Sequence, residues 1–194
     1  NYSNDNKWVY FPSCVNRVLS SDSSKSSLAS VLDEISLKCD ESFRIPKMIN
    51  TICCSQPFAS KGYKSAAFLM QEKTIDIIWE CSKQGKLPVF IDTSPCTHQL
   101  LDFHPDLNNS SKKKLEKLKI LDLVDYLILC IKEINLPKLK GKISMHPTCS
   151  DEKMEQTSKL KELAEKCIEN VIFSDSWGCC GFAGDKGLNN PELN

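Results

Sequence analysis

Two pairs of adjacent cysteines, Cys53-Cys54 and Cys179-Cys180, each lie downstream of a Pro-x-Cys that closes an apolar run. YFPSC (10–14) leads to CCSQPFASKG (53–62), and SMHPTC (144–149) leads to CCGFAGDKG (179–187). Thiolates are soft, charged donors suited to iron-sulfur clusters and zinc, and several must converge on one point from separate loops. Adjacent cysteines supply two of them where the next residue is small enough for the backbone to turn, a role Gly181 fits well and Ser55 less well. The repetition implies two similar halves.

Short apolar strands and amphipathic helices must deliver these cysteines. Residues 8–11 read as a buried strand stopped by Pro12, which leaves Cys14 at a strand end. The serine cluster 20–27 forms a loop, and Leu28, Val31, Leu32 and Ile35 fall at helical spacing in a helix ending near Cys39. A second strand is expected at 43–45, a loop at 51–54, and one helix from about 61 to 83, closed by Gly85 and Pro88. After a strand at 87–91, DTSPC (92–96) again places a cysteine just past a strand end. Helical spacing recurs within 115–134 and at 160–168, with strands at 143–145 and 171–173.

That alternation predicts an α/β fold of two pseudo-repeated Rossmann-like βαβ halves with mainly parallel sheets. The halves span 8–135 and 141–194, the second without a closing element at its C-terminus. Ligands of such sheets sit outside the carboxyl ends of the strands. Cys14, Cys96 and Cys149 stand there, and the loops carrying the double cysteines are expected at the same edge.

Composition excludes several classes of function. The 194 residues are 41% apolar and 26% charged, an ordinary globular balance. Lysine plus arginine equals aspartate plus glutamate at 25 each, so no net field draws the chain to nucleic acid, and KKKLEKLK (112–119) reads as a solvated helix face. The most apolar segment, 121–134, is interrupted by Asp122, Asp125, Lys132 and Glu133 and falls short of the ~20 apolar residues that span a bilayer. Residues 1–13 lack the pattern of a signal peptide, and without an initiator Met the chain reads as a piece of something longer. Eleven cysteines, an odd number without secretory features, favour metal or redox chemistry over a disulfide framework.

The motifs YFPSCVNR, CCSQPFASKGY, DTSPCT, HPTCS and CCGFAGDKG resemble the cysteine-rich CCG domain family. This family includes the cysteine-rich component of heterodisulfide reductase and the iron-sulfur components of glycolate oxidase and anaerobic glycerol-3-phosphate dehydrogenase. The resemblance is closer still to the C-terminal region of FAD-linked D-lactate dehydrogenases and covers about 8–193. It implies an iron-sulfur cluster, 4Fe-4S, held by Cys14, Cys53, Cys54 and Cys96 in the first half, and ligands Cys149, Cys179 and Cys180 in the second. The chain departs from the heterodisulfide-reductase branch where Cys96-Thr97-His98-Gln99 replaces CxxC, and its second half lacks a final cysteine.

No Walker loop, GxGxxG or ferredoxin-type CxxCxxCxxxCP occurs. The resemblance therefore implies that FAD and the ferredoxin-type iron-sulfur domain belong to a missing domain or a partner. The implied function is relay of electrons from a flavin-containing dehydrogenase that oxidises D-lactate or a related 2-hydroxy acid, towards a quinone or cytochrome acceptor. The implied location is cytoplasmic, at the inner face of the membrane through the parent enzyme. The rival expectation is a zinc-binding structural or interaction module, which His98 or His146 could complete with nitrogen. A metal-free thiol-disulfide enzyme using either double cysteine ranks last, because a vicinal disulfide is strained. Cys39, Cys81, Cys130 and Cys167 fall in helical segments and read as structural.

Overall fold

In the computed structural model, which describes residues 6–19, 27–102, 106–132, 134, 136–173 and 186–193, the apolar run Trp8–Phe11 is strand β1, buried throughout. The chain divides into two units, Asn1–Leu136 and Pro137–Asn194. In the first, β1 joins β2 (Phe43–Arg44), β3 (Val89–Ile91) and β4 (Ile120–Asp122) in a sheet of order β2-β1-β3-β4 whose pairings are all parallel. The connecting helices are α1 (Cys14–Leu19), α2 (Leu28–Cys39), α3 (Gln56–Ser60), α4 (Lys64–Cys81), α5 (Ser94–Leu101), α6 (Asn109–Lys117) and α7 (Leu123–Lys132). The chain steps outward from β1 to β2 and then returns past β1 to β3, so the strand order reverses between β1 and β3. In parallel sheets the loops diverge at such a point and leave a crevice at the carboxyl ends.

Alternate residues of the strands serve opposite faces, as the two-residue strand period requires. Val9, Phe11, Val89, Ile91 and Ile120 pack with Ile75 and Ile78 of α4. Trp8, Tyr10 and Phe90 pack with Leu32 and Cys39 of α2 and with Tyr126 and Cys130 of α7. Phe90 stacks between Tyr10 and Tyr126 with ring centroids 4.8 and 4.1 Å away. Both faces are therefore covered by helices, and the apolar strands lose their contact with water; the α/β expectation holds.

Local predictions differ from the structure in three places. The helix expected from about 61 to 83 is α4, Lys64–Cys81, but the short helix α3 before it was not anticipated; Gly62 at φ +82° separates the two, with Tyr63 N–H on Phe58 O at 3.0 Å. The helical region expected within 115–134 is interrupted by β4, whose buried Ile120 and Asp122 leave no strand-like alternation to read. The helices α1 and α5 were not anticipated; each starts within three residues of a strand end. Of the expected serine loop, 20–26 lie outside the described residues.

The second unit contains a parallel pair, β5 (Leu139–Met145) and β6 (Ile168–Phe173), connected through α8 (Cys149–Lys153) and α9 (Thr157–Cys167). Helix α10 (Lys186–Asn189) and a 3-10 turn (Pro191–Leu193) follow. Both strands run longer than their apolar cores suggested. Among the described residues its buried apolar side chains are Pro147, Ala164 and Ile168. Among the described residues, no helix is long and apolar enough to cross a membrane.

Candidate metal centre

The carboxyl edge of the first sheet gathers four cysteines from three segments. Cys14 opens α1 just beyond β1 and is half-buried. Cys53, half-buried, and Cys54, buried, follow the 3-10 turn Ile49–Thr51 and precede α3. Cys96 lies in the first turn of α5, just beyond β3, and is buried. Hydrogen bonds run thiol to thiol from Cys14 to Cys53, between Cys53 and Cys54, and from Cys54 to Cys96. The two cysteines past β1 and β3 thus flank the reversal of strand order, and the double cysteine bridges them.

Ser55 makes the turn that follows the double cysteine. It is fully buried and adopts φ +76°, ψ −9°, the left-handed conformation that glycine takes at least cost. The expectation that serine fits this position less well is therefore met by strain rather than by a different turn. Its hydroxyl accepts a bond from Gln99 Nε2 at 3.3 Å, and Thr74 Oγ1 donates to Cys53 O at 2.8 Å. Helices α4 and α5 thereby hold both ends of the Cys53–Ser55 turn.

The thiols polarise one another. The Cys54 proton lies between the sulfurs of Cys53 and Cys96, and interaction with these two, with burial, pushes its own pKa up. The Cys53 thiol is pulled down to about 6, first by the bond from Cys54 and, against burial, by the Ser55 N–H, the Cys14 thiol and the charge of Arg17. Cys96 is also pulled down, chiefly by Cys54 and against its burial. Cys14 is pushed up, first by burial and then by the negative charge of Cys53 and Cys96. Two thiolate-prone sulfurs thus alternate with two protonated ones, the arrangement that minimises repulsion between adjacent negative charges.

Polar groups behind the sulfurs fasten the segments together. Asp92, immediately after β3, accepts from Ser13 N–H at 2.8 Å and from Tyr10 Oη at 2.7 Å. Asp122, buried at the end of β4, accepts from Thr97 Oγ1 at 2.9 Å and from Val124 N–H at 3.2 Å. Arg17, one turn after Cys14, donates to Ile49 O at 2.5 Å and Ile52 O at 3.0 Å. Sequence reasoning missed all three. Their available signals were an acidic residue at the end of an apolar strand, in FID and ILD, and a basic residue three positions beyond a cysteine that starts a helix.

The remaining expected ligands are not brought together among the described residues. Cys149 is exposed at the start of α8, which Thr148 and Asp151 close with a reciprocal capping box. Cys179 and Cys180, with Gly181, lie outside the described residues. His98 is half-buried on α5 and His146 is exposed beyond β5. Among the described residues no three His, Cys, Asp or Glu side chains already surround a metal-sized point. As donors the four thiols fit a thiolate-bound group, being four soft sulfurs in one place with their supporting loops already fastened.

The chain matches the cysteine-rich domain family designated CCG over residues 8–101 and 143–193. It is 26% identical over 148 residues to a subunit of the anaerobic glycerol-3-phosphate dehydrogenase of Escherichia coli K12, covering 70% of this chain and 35% of that protein. The corresponding protein of Escherichia coli O157:H7 matches equally, at 26% over 148 residues. The chain thus spans about a third of the length of these curated relatives. No solved structure matches it.

Proposed function

The chain belongs to the cysteine-rich CCG domain family, and from that membership we propose that its first unit holds an iron-sulfur cluster through Cys14, Cys53, Cys54 and Cys96 and serves electron transfer within an oxidoreductase. The observation that carries this reading is the meeting of these four thiols at the reversal of strand order between β1 and β3. A cluster bound there supplies single-electron exchange. The protein's own contribution is placement and electrostatics. Buried Cys54 and Cys96 keep water from one side, the Ser55 N–H donates to the Cys53 sulfur, and Arg17 sets a positive charge beside Cys14 and Cys53. Hydrogen bonds and charge at the sulfurs are the levers by which a protein tunes such a group.

The finer reading extends this role to the parent enzyme. In it, residues 8–135 and 141–194 are pseudo-equivalent halves, and Cys149, Cys179 and Cys180 begin a second site in the latter. The partner is a flavin-bearing dehydrogenase domain or subunit that oxidises a 2-hydroxy acid such as D-lactate. Its electrons pass on to a quinone or cytochrome. The likeness to a protein named as part of a dehydrogenase supports the oxidoreductase part of this reading; the five cysteine motifs support the D-lactate part.

Metal and acid-labile sulfide analysis with EPR, on protein prepared without oxygen, tests the proposal. Iron with matching sulfide that Cys54→Ser abolishes is the expected result. Zinc without sulfide would replace the electron-transfer reading with that of a structural module.

A further inference from the structure

We infer that Arg17 is the positioning residue and fixed counter-charge of this centre: it clamps the segment leading to Cys53-Cys54 onto the helix that begins at Cys14, and its cation favours the reduced form of the cluster. The charge half of this inference rests on the cluster proposed above; the clamping half stands without it.

The clamp is built from a single guanidinium. Arg17 Nη1 donates to Ile49 O at 2.5 Å and to Asn50 Oδ1 at 3.3 Å, Nη2 donates to Ile52 O at 3.0 Å, and Nε reaches Ser13 O at 3.4 Å. Ile49 O and Ile52 O bracket the 3-10 turn Ile49–Thr51, and Ser13 O lies next to Cys14. Ile49 O accepts from Ile52 N–H at 3.4 Å within the turn, and the guanidinium adds a second donor to it and one to Ile52 O, which fixes how the chain leaves the turn. Here the chain leaves directly into Cys53. Met48, Asn50 and Thr51 are exposed, while Ile49 and the buried Ile52 pack on the core, so the guanidinium adds a polar tie to the apolar anchoring of the segment. Lysine cannot reproduce the clamp, because a point ammonium lacks the planar fork that spans acceptors this far apart.

The charge follows from the same geometry. The hydrogen-bond partners of Arg17 are neutral oxygens, and no carboxylate pairs with it among the described residues. A guanidinium stays protonated at any working pH, so its charge is constant, and it acts on the sulfurs of both Cys14 and Cys53. Reduction of a thiolate-bound cluster adds one negative charge. A cation held beside two of its sulfurs stabilises that added charge and raises the potential.

The test compares wild type, Arg17→Lys and Arg17→Gln as full chains. In the metal-free proteins, amide hydrogen exchange at residues 51–54 should quicken about tenfold in both variants while β1 and β3 keep their protection; unchanged exchange overturns the clamp. In the cluster-loaded proteins, an anaerobic titration with dithionite followed by EPR should place Arg17→Lys near wild type. Arg17→Gln should shift the one-electron equilibrium about tenfold towards the oxidised form, which is about 59 mV lower. An Arg17→Gln potential equal to wild type overturns the charge role. An Arg17→Gln protein that keeps no cluster where Arg17→Lys keeps one supports it. A wild-type chain without iron and sulfide removes the proposed cluster and the charge role together, and the exchange measurement still decides the clamp.

Discussion

Two groups of touching cysteines occupy the first unit, and they differ in everything except their side chain. Cys14, Cys53, Cys54 and Cys96 meet at the loop edge of the sheet, beside a backbone N–H, the guanidinium of Arg17 and the carboxylate of Asp92. Cys39 and Cys130 meet between α2 and α7, under the stacked rings of Phe90 and Tyr126. There burial pushes the Cys130 thiol up to about 12, and Cys39 donates to Ile35 O within its own helix at 3.2 Å. The edge group has loops free to supply donors and charge. The core group faces helices whose backbone groups are already used, so its thiols act as small apolar side chains. Proximity of thiols therefore does not make a centre; the polar shell around them does.

The sharpest way to break this contrast is to remove one sulfur from each group. Cys54→Ser should abolish iron and sulfide in protein made without oxygen, whereas Cys130→Ala should leave both unchanged and cost about 1 kcal/mol in urea denaturation. Equal metal loss in both variants would make the contrast meaningless. Next in size is Asp92→Ala, which strips the acceptor from Tyr10 Oη and Ser13 N–H and should cost about 1–3 kcal/mol. Because Asp92 joins the aromatic core to the Cys14 segment, this variant should lose stability and metal retention together, measured by denaturation and iron content.

A pH titration sharpens the ionisation difference. In the metal-free chain Cys53 is depressed from 9.0 to about 6, so the unfolded state binds more protons between those values, and stability must rise with pH across that window. It is lost as pH falls through about 6. Cys96 is shifted the same way, while Cys14 and Cys54 are raised and stay protonated below 9.0. Urea midpoints from pH 6 to 9 should therefore climb in wild type and in Cys130→Ala, and flatten in Cys53→Ser. The smallest effect belongs to Ser55→Gly. Relief of the left-handed strain, about 1 kcal/mol, is partly offset by the lost bond from Gln99 Nε2 at 3.3 Å. Metal content should be retained and the midpoint should rise slightly; a fall would show that the hydroxyl outweighs the backbone strain.

The sequence was most legible where structure is local. The strand Trp8–Phe11 ends at Pro12, and the run Val89–Ile91 ends before Asp92, so both strand ends could be read one residue at a time. Strand β4 was hidden because a strand buried on both faces has no alternation, and its apolar residues merged with those of the flanking helices. The short helices at Cys14 and Cys96 were hidden because a helix of 6 or 8 residues shows too few turns for periodicity to register.

What the sequence by itself determined was the kind of protein: two cysteine repeats, an alternation of strands and helices, and the thiols that belong to the motif. Those follow from residue type and spacing, which act over a few positions of chain. Only the tertiary structure decided that Arg17 reaches Ile49 and Ile52, that Asp92 reaches back to Ser13, and that Cys39 touches Cys130 rather than the edge group. Each of these contacts joins segments separated by a parallel crossover. The crossover's register, and not any property of the two segments alone, sets which side chains meet.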